Sequence, residues 1–192
     1  MPSSRSTHRD RFEAVYEQHY SAVWAYARRR LDSAADADDV SAQCWLTVWR
    51  RIESLPATDA LPWCYGVARR CVANHRRSAV RQLRLAAAVA KAPAHDGAAI
   101  DVTCAPDRHD AAAQRLRNAL GRLSVDDQEI LRLAAWERLA HAEIALVIET
   151  TTANVAVRLH RAKRRLASAM QDLESAGHIG ATTPIAEPKG SQ

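Results

Sequence analysis

The chain has 192 residues, enough for one ordinary domain or two small ones. Hydrophobic residues make up 47% of it and charged residues 26%, a balance that both folds and dissolves. No apolar run approaches the roughly 20 residues that a membrane span needs, and the N-terminal stretch MPSSRSTHRDRF has no apolar signal-peptide core. Membrane insertion is therefore excluded and a cytoplasmic protein expected.

With 6 Gly, 7 Pro, abundant alanine and almost no β-branched alternation, the chain reads as all-α. Phe12, Val15, Tyr16, His19, Tyr20, Val23, Trp24, Ala27 and Leu31 recur at helical spacing and define a first helix. The segment LDSAADADD interrupts it, and its carboxylates suit the N-terminus of a second helix. That helix carries Val40, Cys44, Trp45, Val48, Trp49 and Ile52 and stops near ESLPATDALP. Pro62 is placed to open a third helix, where its missing N–H is not needed. Trp63, Val67, Cys71 and Asn74 line one side of that helix, and the arginines lie largely elsewhere. Trp45 and Trp49 read as core residues, and Trp63 is at least as well explained by packing as by function. Residues 1–86 form a first domain and 87–110 a flexible linker of small residues, Pro, Gly and scattered charge.

Residues 111–175 form a second domain, and 176–192 a flexible tail. Leu116, Ala119, Leu120 and Leu123 make its first stripe, and the SVDD of Ser124–Asp127 resembles a capping box with Asp in place of Glu. Ile130, Leu131, Ala134 and Leu139 mark the next helix, and Ala142, Ile144, Ala145 and Ile148 a short one. Val155, Leu159, Ala162 and Leu166 form the buried side of the last. Two short helices, a tight turn and a basic second helix make a helix-turn-helix (winged-helix-like) DNA-binding domain.

Net charge is +5 and the pI about 9.3, but the charge is unevenly placed. Ala60 to His95 contains no acid and includes Arg69, Arg70, Arg76, Arg77, Arg81, Arg84 and Lys91. Thr150 to Gln171 again contains none and includes Arg158, Arg161, Lys163, Arg164 and Arg165. Two separated basic stretches point to two nucleic-acid contacts. The four cysteines, Cys44, Cys64, Cys71 and Cys104, form no metal-ligand spacing and read as buried or half-buried free thiols. No Gly-rich phosphate loop, metal cluster or nucleophile–base arrangement is present, so neither an enzyme nor a cofactor is expected.

Three segments, in order, resemble the bacterial extracytoplasmic-function (ECF) sigma factors, small promoter-specificity subunits of RNA polymerase in the sigma-70 family. DADDVSAQCWLTVWRRI is similar to the family's core-polymerase-binding helix. LPWCYGVARRCVANHRR is similar to the helix that melts and reads the minus-ten element, and ALGRLSVDDQEILRLAAWERLAHAEIALVIETTTANVAVRLHRAKRRL to the minus-thirty-five domain. The resemblance implies core RNA polymerase, promoter DNA and an anti-sigma factor as partners. It implies that Asp38, Asp39 and Gln43 meet polymerase, and that Trp63, Tyr65, Arg69, Arg70, Asn74, Arg76 and Arg77 meet minus-ten DNA. These aromatic and cationic types suit single-stranded bases, where stacking and phosphate contact offset lost pairing. Thr152, Ala153, Asn154, Ala156, Val157, His160, Arg161 and Arg164 are assigned to minus-thirty-five DNA.

The chain departs from the family pattern in places. Arg70 stands where Asn is frequent, Glu149 where the helix-turn-helix turn usually has Gly, and Ala140 where a Ser usually caps. Ala156 and Val157 replace frequent polar base readers and would touch thymine methyl groups instead. Ala42-Gln43 replaces a common Gln-Glu pair. The rival readings are a helix-turn-helix regulator that does not associate with core polymerase, and a single-strand-binding protein. The regulator would carry a ligand pocket or receiver site in the N-terminal half, which is instead basic and Trp-rich.

Overall fold

The computed structural model describes residues 4–90 and 110–179. They form seven α-helices: α1 (Ser4–Arg28), α2 (Ala34–Arg50), α3 (Ala60–Ala90), α4 (Asp110–Gly121), α5 (Val125–Ala135), α6 (His141–Ile148) and α7 (Thr152–Ile179). A 3-10 turn at Ile52–Ser54 joins α2 to α3. No strand occurs among the described residues, so the second domain is a helix-turn-helix without a wing.

The helix starts follow from local chemistry. Ser33 caps α2, its hydroxyl accepting from the Asp36 amide at 3.0 Å. Pro62 lies within the first turn of α3, where no intrahelical donor is lost. Ser124 caps α5 and accepts from the Asp127 amide at 3.2 Å, but the Asp127 carboxylate pairs with Arg165 of α7 at 2.6 Å. Only half of the expected capping box therefore forms. Ala140 has no side chain with which to cap α6, yet the Glu143 carboxylate accepts from its amide at 2.6 Å and satisfies the reciprocal half. Leu139, read from the sequence as part of α5, lies beyond that helix in the turn before α6. There it occupies the position from which an apolar residue staples onto Ile144.

The helices run longer than their apolar stripes. α1 begins at Ser4, ahead of Phe12, with an Arg9–Glu13 pair at 2.7 Å supporting its solvated first turns. α3 continues past residue 86 to Ala90 through an alanine-rich segment of high helix propensity. α7 continues past residue 175 to Ile179. Of the expected linker, residues 91–109 lie outside the described residues, as do 180–192 of the expected tail.

The first domain packs α1, α2 and α3 around Val23, Tyr26, Val40, Cys44, Val48 and Val67, all buried. Trp45 joins this core, but Trp49 is 44% exposed with only an edge on Phe12, so its reading as a core residue is corrected. The second domain packs α4 to α7 around Leu133, Ile144, Val147, Val155 and Leu159. The two domains dock, with α6 lying on α3. A β carbon at Gly66 would stand 3.7 Å from the Val147 carbonyl oxygen, in ordinary van der Waals contact, so the seam has room for a methyl group there but for little more.

Candidate nucleic-acid and polymerase interface

The eight residues assigned to duplex reading all lie on α7, and all are exposed. Burial of Val155, Leu159 and Ala162 against the domain forces this, because the opposite face must then meet solvent. Thr151 precedes the helix, and its hydroxyl accepts from the Asn154 amide at 3.3 Å. The Asn154 side-chain amide donates to the Thr150 hydroxyl at 2.8 Å, so one predicted reader is held against the turn. Val157 is 48% exposed, an apolar surface on the solvent side of α7. Further along, Arg165 is committed to Asp127, whereas Lys163 and Arg164 are exposed.

Glu149 ends α6 in the left-handed conformation, φ 57° and ψ 54°, so the turn keeps its geometry and the residue takes the strain. Its carboxylate pairs with Arg70 of α3. Sequence spacing gave no sign of that contact.

On α3, Arg70, Asn74, Arg76 and Arg77 are exposed, while Arg69 and Trp63 are half-buried. Arg77 donates to the Asn74 side-chain oxygen at 2.6 Å, and Arg76 to the backbone carbonyl of Arg30. The Arg51 guanidinium stands 5.5 Å from the Trp63 ring centroid. Tyr65 is buried, its ring stacked on Tyr26 at 5.1 Å, and in this arrangement it presents no face to a base. Arg69, Arg70, Arg76 and Arg77 line a cavity of about 370 Å³ between the domains, opposite Asp126 and Glu129.

On α2, Asp38, Asp39 and Gln43 are all exposed. Asp38 accepts from the Trp24 indole at 2.6 Å and so is tied to α1. Asp39 has no hydrogen-bond or ion-pair partner among the described residues. Helix capping is carried by Ser33 and Asp36, which leaves Asp39 in the second turn without that role. Leu46, 51% exposed on the same helix, was missed by the sequence reading. Its signal was present, since it falls off the row of Val40, Cys44 and Val48.

A buried ionic cluster holds the domains together. Arg30, in the turn after α1, donates to both Glu129 oxygens of α5, at 2.8 and 3.2 Å, and to Glu137 at 2.8 Å. Arg29 adds a bond to Glu137 at 3.1 Å, and the Tyr26 hydroxyl donates to Glu129 at 2.7 Å. The Arg30 side chain is 2% exposed and that of Glu137 is fully covered. Burial opposes ionisation of Glu129, but the Arg30 charge and the hydrogen bonds from Arg30 and Tyr26 outweigh it and lower its pKa. No local pattern in the sequence marks this cluster.

A basic helical bundle joined in one chain to a helix-turn-helix domain has the layout of a two-domain nucleic-acid-binding protein. Residues 15–82 match the Sigma-70 region 2 family, and residues 113–166 match the Sigma-70, region 4 family. The chain is 30% identical over 164 residues to the ECF RNA polymerase sigma factor SigL of Mycobacterium tuberculosis, covering 83% of this chain and 89% of that one. It is 28% identical over 176 residues to the RNA polymerase sigma factor CarQ of Myxococcus xanthus, covering 91% and 97%. Among solved structures, the sigma factor RpoE of Bartonella quintana, determined with the anti-sigma factor NepR, aligns with a TM-score of 0.58 at 18% identity, over 83% of this chain and 96% of that one. CnrH, determined with the cytosolic domain of CnrY, aligns at 0.56 and 17% identity, over 84% and 88%. The chain belongs to the ECF class of sigma-70 family RNA polymerase sigma factors. No helix among the described residues is long and apolar enough to cross a membrane.

Proposed function

We propose that the chain directs core RNA polymerase to a set of promoters through two separate surfaces and assists promoter melting. Residues 1–86 hold polymerase through the exposed face of α2, with Asp39 and Gln43 foremost and Leu46 beside them. The same domain engages the minus-ten element through α3, where Arg69, Arg70, Asn74, Arg76 and Arg77 supply the cations and polar groups that hold a separated strand. Residues 111–175 read the minus-thirty-five element with the exposed face of α7, and residues 87–110 link the two. The observation that carries this reading is the exposure of Thr152, Ala153, Asn154, Ala156, Val157, His160, Arg161 and Arg164 on a single helix behind a tight turn. Such a face fits a major groove. Likeness to RpoE and CnrH favours an anti-sigma factor as a further partner. The reading assigns no catalytic step to the chain and places it in the cytoplasm.

Run-off transcription with purified core enzyme is the test. Addition of the chain should produce promoter-specific transcripts and permanganate-reactive thymines in the minus-ten region, and Arg70→Ala should reduce thymine reactivity more than closed-complex formation. Specific promoter binding that persists without any association with core enzyme would favour the stand-alone regulator instead.

A further inference from the structure

The seam between the domains carries more positive charge than its own carboxylates answer. Its cavity of about 370 Å³ has five arginines in the wall, Arg30 and four from α3, against two carboxylates, Asp126 and Glu129. Three of those arginines have acidic partners. Arg30 meets Glu129 and Glu137, Arg70 meets Glu149, and Arg69 stands 3.9 Å from Asp126. Asp126 is shared besides with Arg158 of α7, also at 3.9 Å. Arg76 and Arg77 meet neutral acceptors instead. Arg76 donates to the Arg30 carbonyl, and Arg77 to the Ala73 carbonyl at 3.3 Å and the Asn74 side-chain oxygen at 2.6 Å. Neither forms an ion pair among the described residues. On the α5 side, the half-buried Arg132 likewise donates to a neutral oxygen, that of Gln128, at 3.0 Å. Burial lowers its pKa, and the charges of Arg30 and Arg76 lower it further. Cations from both domains therefore crowd one seam without enough anions to match them.

The spacing of the cations selects the anion. Arg69 and Arg76 are seven residues apart, as are Arg70 and Arg77, so each pair shares a helix face. Its members lie two turns apart, roughly 10 Å along the axis. A single tetrahedral anion engages one end of that row, whereas linked phosphates extend along it. Guanidinium forks also match phosphate oxygens two at a time. The volume falls within the roughly 300–1,000 Å³ of small-molecule sites. Asp126 and Glu129 close the side opposite α3, so a DNA strand enters only if the domains part. We propose that the docked chain binds one small oligophosphate in this cavity, of the inorganic pyrophosphate or nucleoside diphosphate kind, with Arg76 and Arg77 as its principal ligands. The bound anion supplies the negative charge that the seam lacks. The site depends on the docking of the two domains and is independent of the promoter reading.

Isothermal titration of the full-length chain with sodium pyrophosphate, at constant ionic strength and without divalent cations, tests the site. One anion per chain should bind with a saturable heat, and sulfate should bind at least about tenfold more weakly. Arg76→Gln and Arg77→Gln should each weaken pyrophosphate binding about tenfold, the loss of a hydrogen bond between charged groups. Arg84→Gln, on an exposed turn of α3 outside the cavity wall, should leave it unchanged. Asp126→Asn, which removes a carboxylate from the wall, should strengthen it severalfold. Adenosine diphosphate separates the two sources of the phosphates. Equal or lower affinity assigns inorganic oligophosphate; affinity at least about tenfold higher assigns a nucleotide whose base rests on the apolar wall at Val72 and Val125. Heat that does not saturate, several anions per chain, sulfate bound as tightly as pyrophosphate, or an equal loss in Arg84→Gln would each overturn the proposal. Titration of the unsubstituted chain decides stoichiometry and anion class by itself, so a variant that fails to fold does not affect the outcome.

Discussion

At Glu149 two demands meet in one residue. Its backbone occupies the left-handed region, where a β carbon crowds the following carbonyl at a cost of about 1 kcal/mol. Its side chain pairs with Arg70, but both partners are more than half exposed and such a pair is screened by water. Strain should therefore outweigh the pair, and Glu149→Gly should raise stability by about 1 kcal/mol in urea denaturation of the full chain. A fall in stability would show that the ion pair is the stronger effect. The strained turn was legible in the sequence because a non-glycine residue stood where the motif needs a left-handed one. Tyr65 is buried on a second apolar row of α3, with Ala68 and Val72, which the row of Trp63, Val67 and Cys71 did not include, and Tyr26 from α1 covers its ring. Asp39 gives the second residue-scale test. Capping belongs to Ser33 and Asp36, so Asp39→Arg should leave circular dichroism unchanged. Its affinity for core polymerase, measured by fluorescence anisotropy, should fall about tenfold, the effect of about 1.4 kcal/mol. Unchanged affinity would remove Asp39 from the interface.

At the level of the element, α7 divides along its length. Its N-terminal turns carry the exposed face proposed to read bases, and its later turns carry cations with unequal freedom. Arg165 is held by Asp127 and serves the packing of α7 on α5, whereas Lys163 is open to a phosphate. Lys163→Ala should weaken holoenzyme binding to all promoter sequences alike and reduce the salt slope by about one unit. Val157→Ser replaces an apolar contact with a hydroxyl and should change the preferred minus-thirty-five sequence while leaving non-specific affinity unchanged. Holoenzyme binding to a library of mutated promoters distinguishes them; identical profiles that differ only in overall affinity would mean that no such division exists. The faces of the helices could be read from sequence, because burial of one apolar stripe fixes the direction of the rest. Their ends were harder to read. α3 extends to Ala90 on alanine propensity, after the apolar rhythm has stopped.

On the scale of the whole molecule, the docking of the two domains was the feature least visible in the sequence. Arg30 meets Glu129 and Glu137 across about a hundred residues of chain, a separation over which no periodicity or motif gives a signal. The docked state sets acidic groups of the second domain, Asp126 and Glu149, against Arg69 and Arg70, so two of the cations proposed for the minus-ten element are occupied within the chain itself. Separation of the domains should release them. Arg30→Met removes the shared cation and leaves two carboxylates buried without it, a change that costs about 3–5 kcal/mol. The variant should keep its helicity, since the side chain lies between domains, and should show a larger radius of gyration by small-angle X-ray scattering. Its non-specific affinity for single-stranded DNA should rise as Arg69 and Arg70 become free. The pH dependence follows from the lowered pKa of Glu129. A depressed carboxyl stabilises the docked form fully above its unfolded-state pKa and loses that contribution as pH falls through the folded one. The radius should therefore stay constant from neutral pH down to about pH 5, then increase in more acidic solution, below the ordinary glutamate value. An Arg30→Met chain whose radius equals that of the unsubstituted protein at neutral pH would show that α6 on α3 holds the domains together without the ionic cluster.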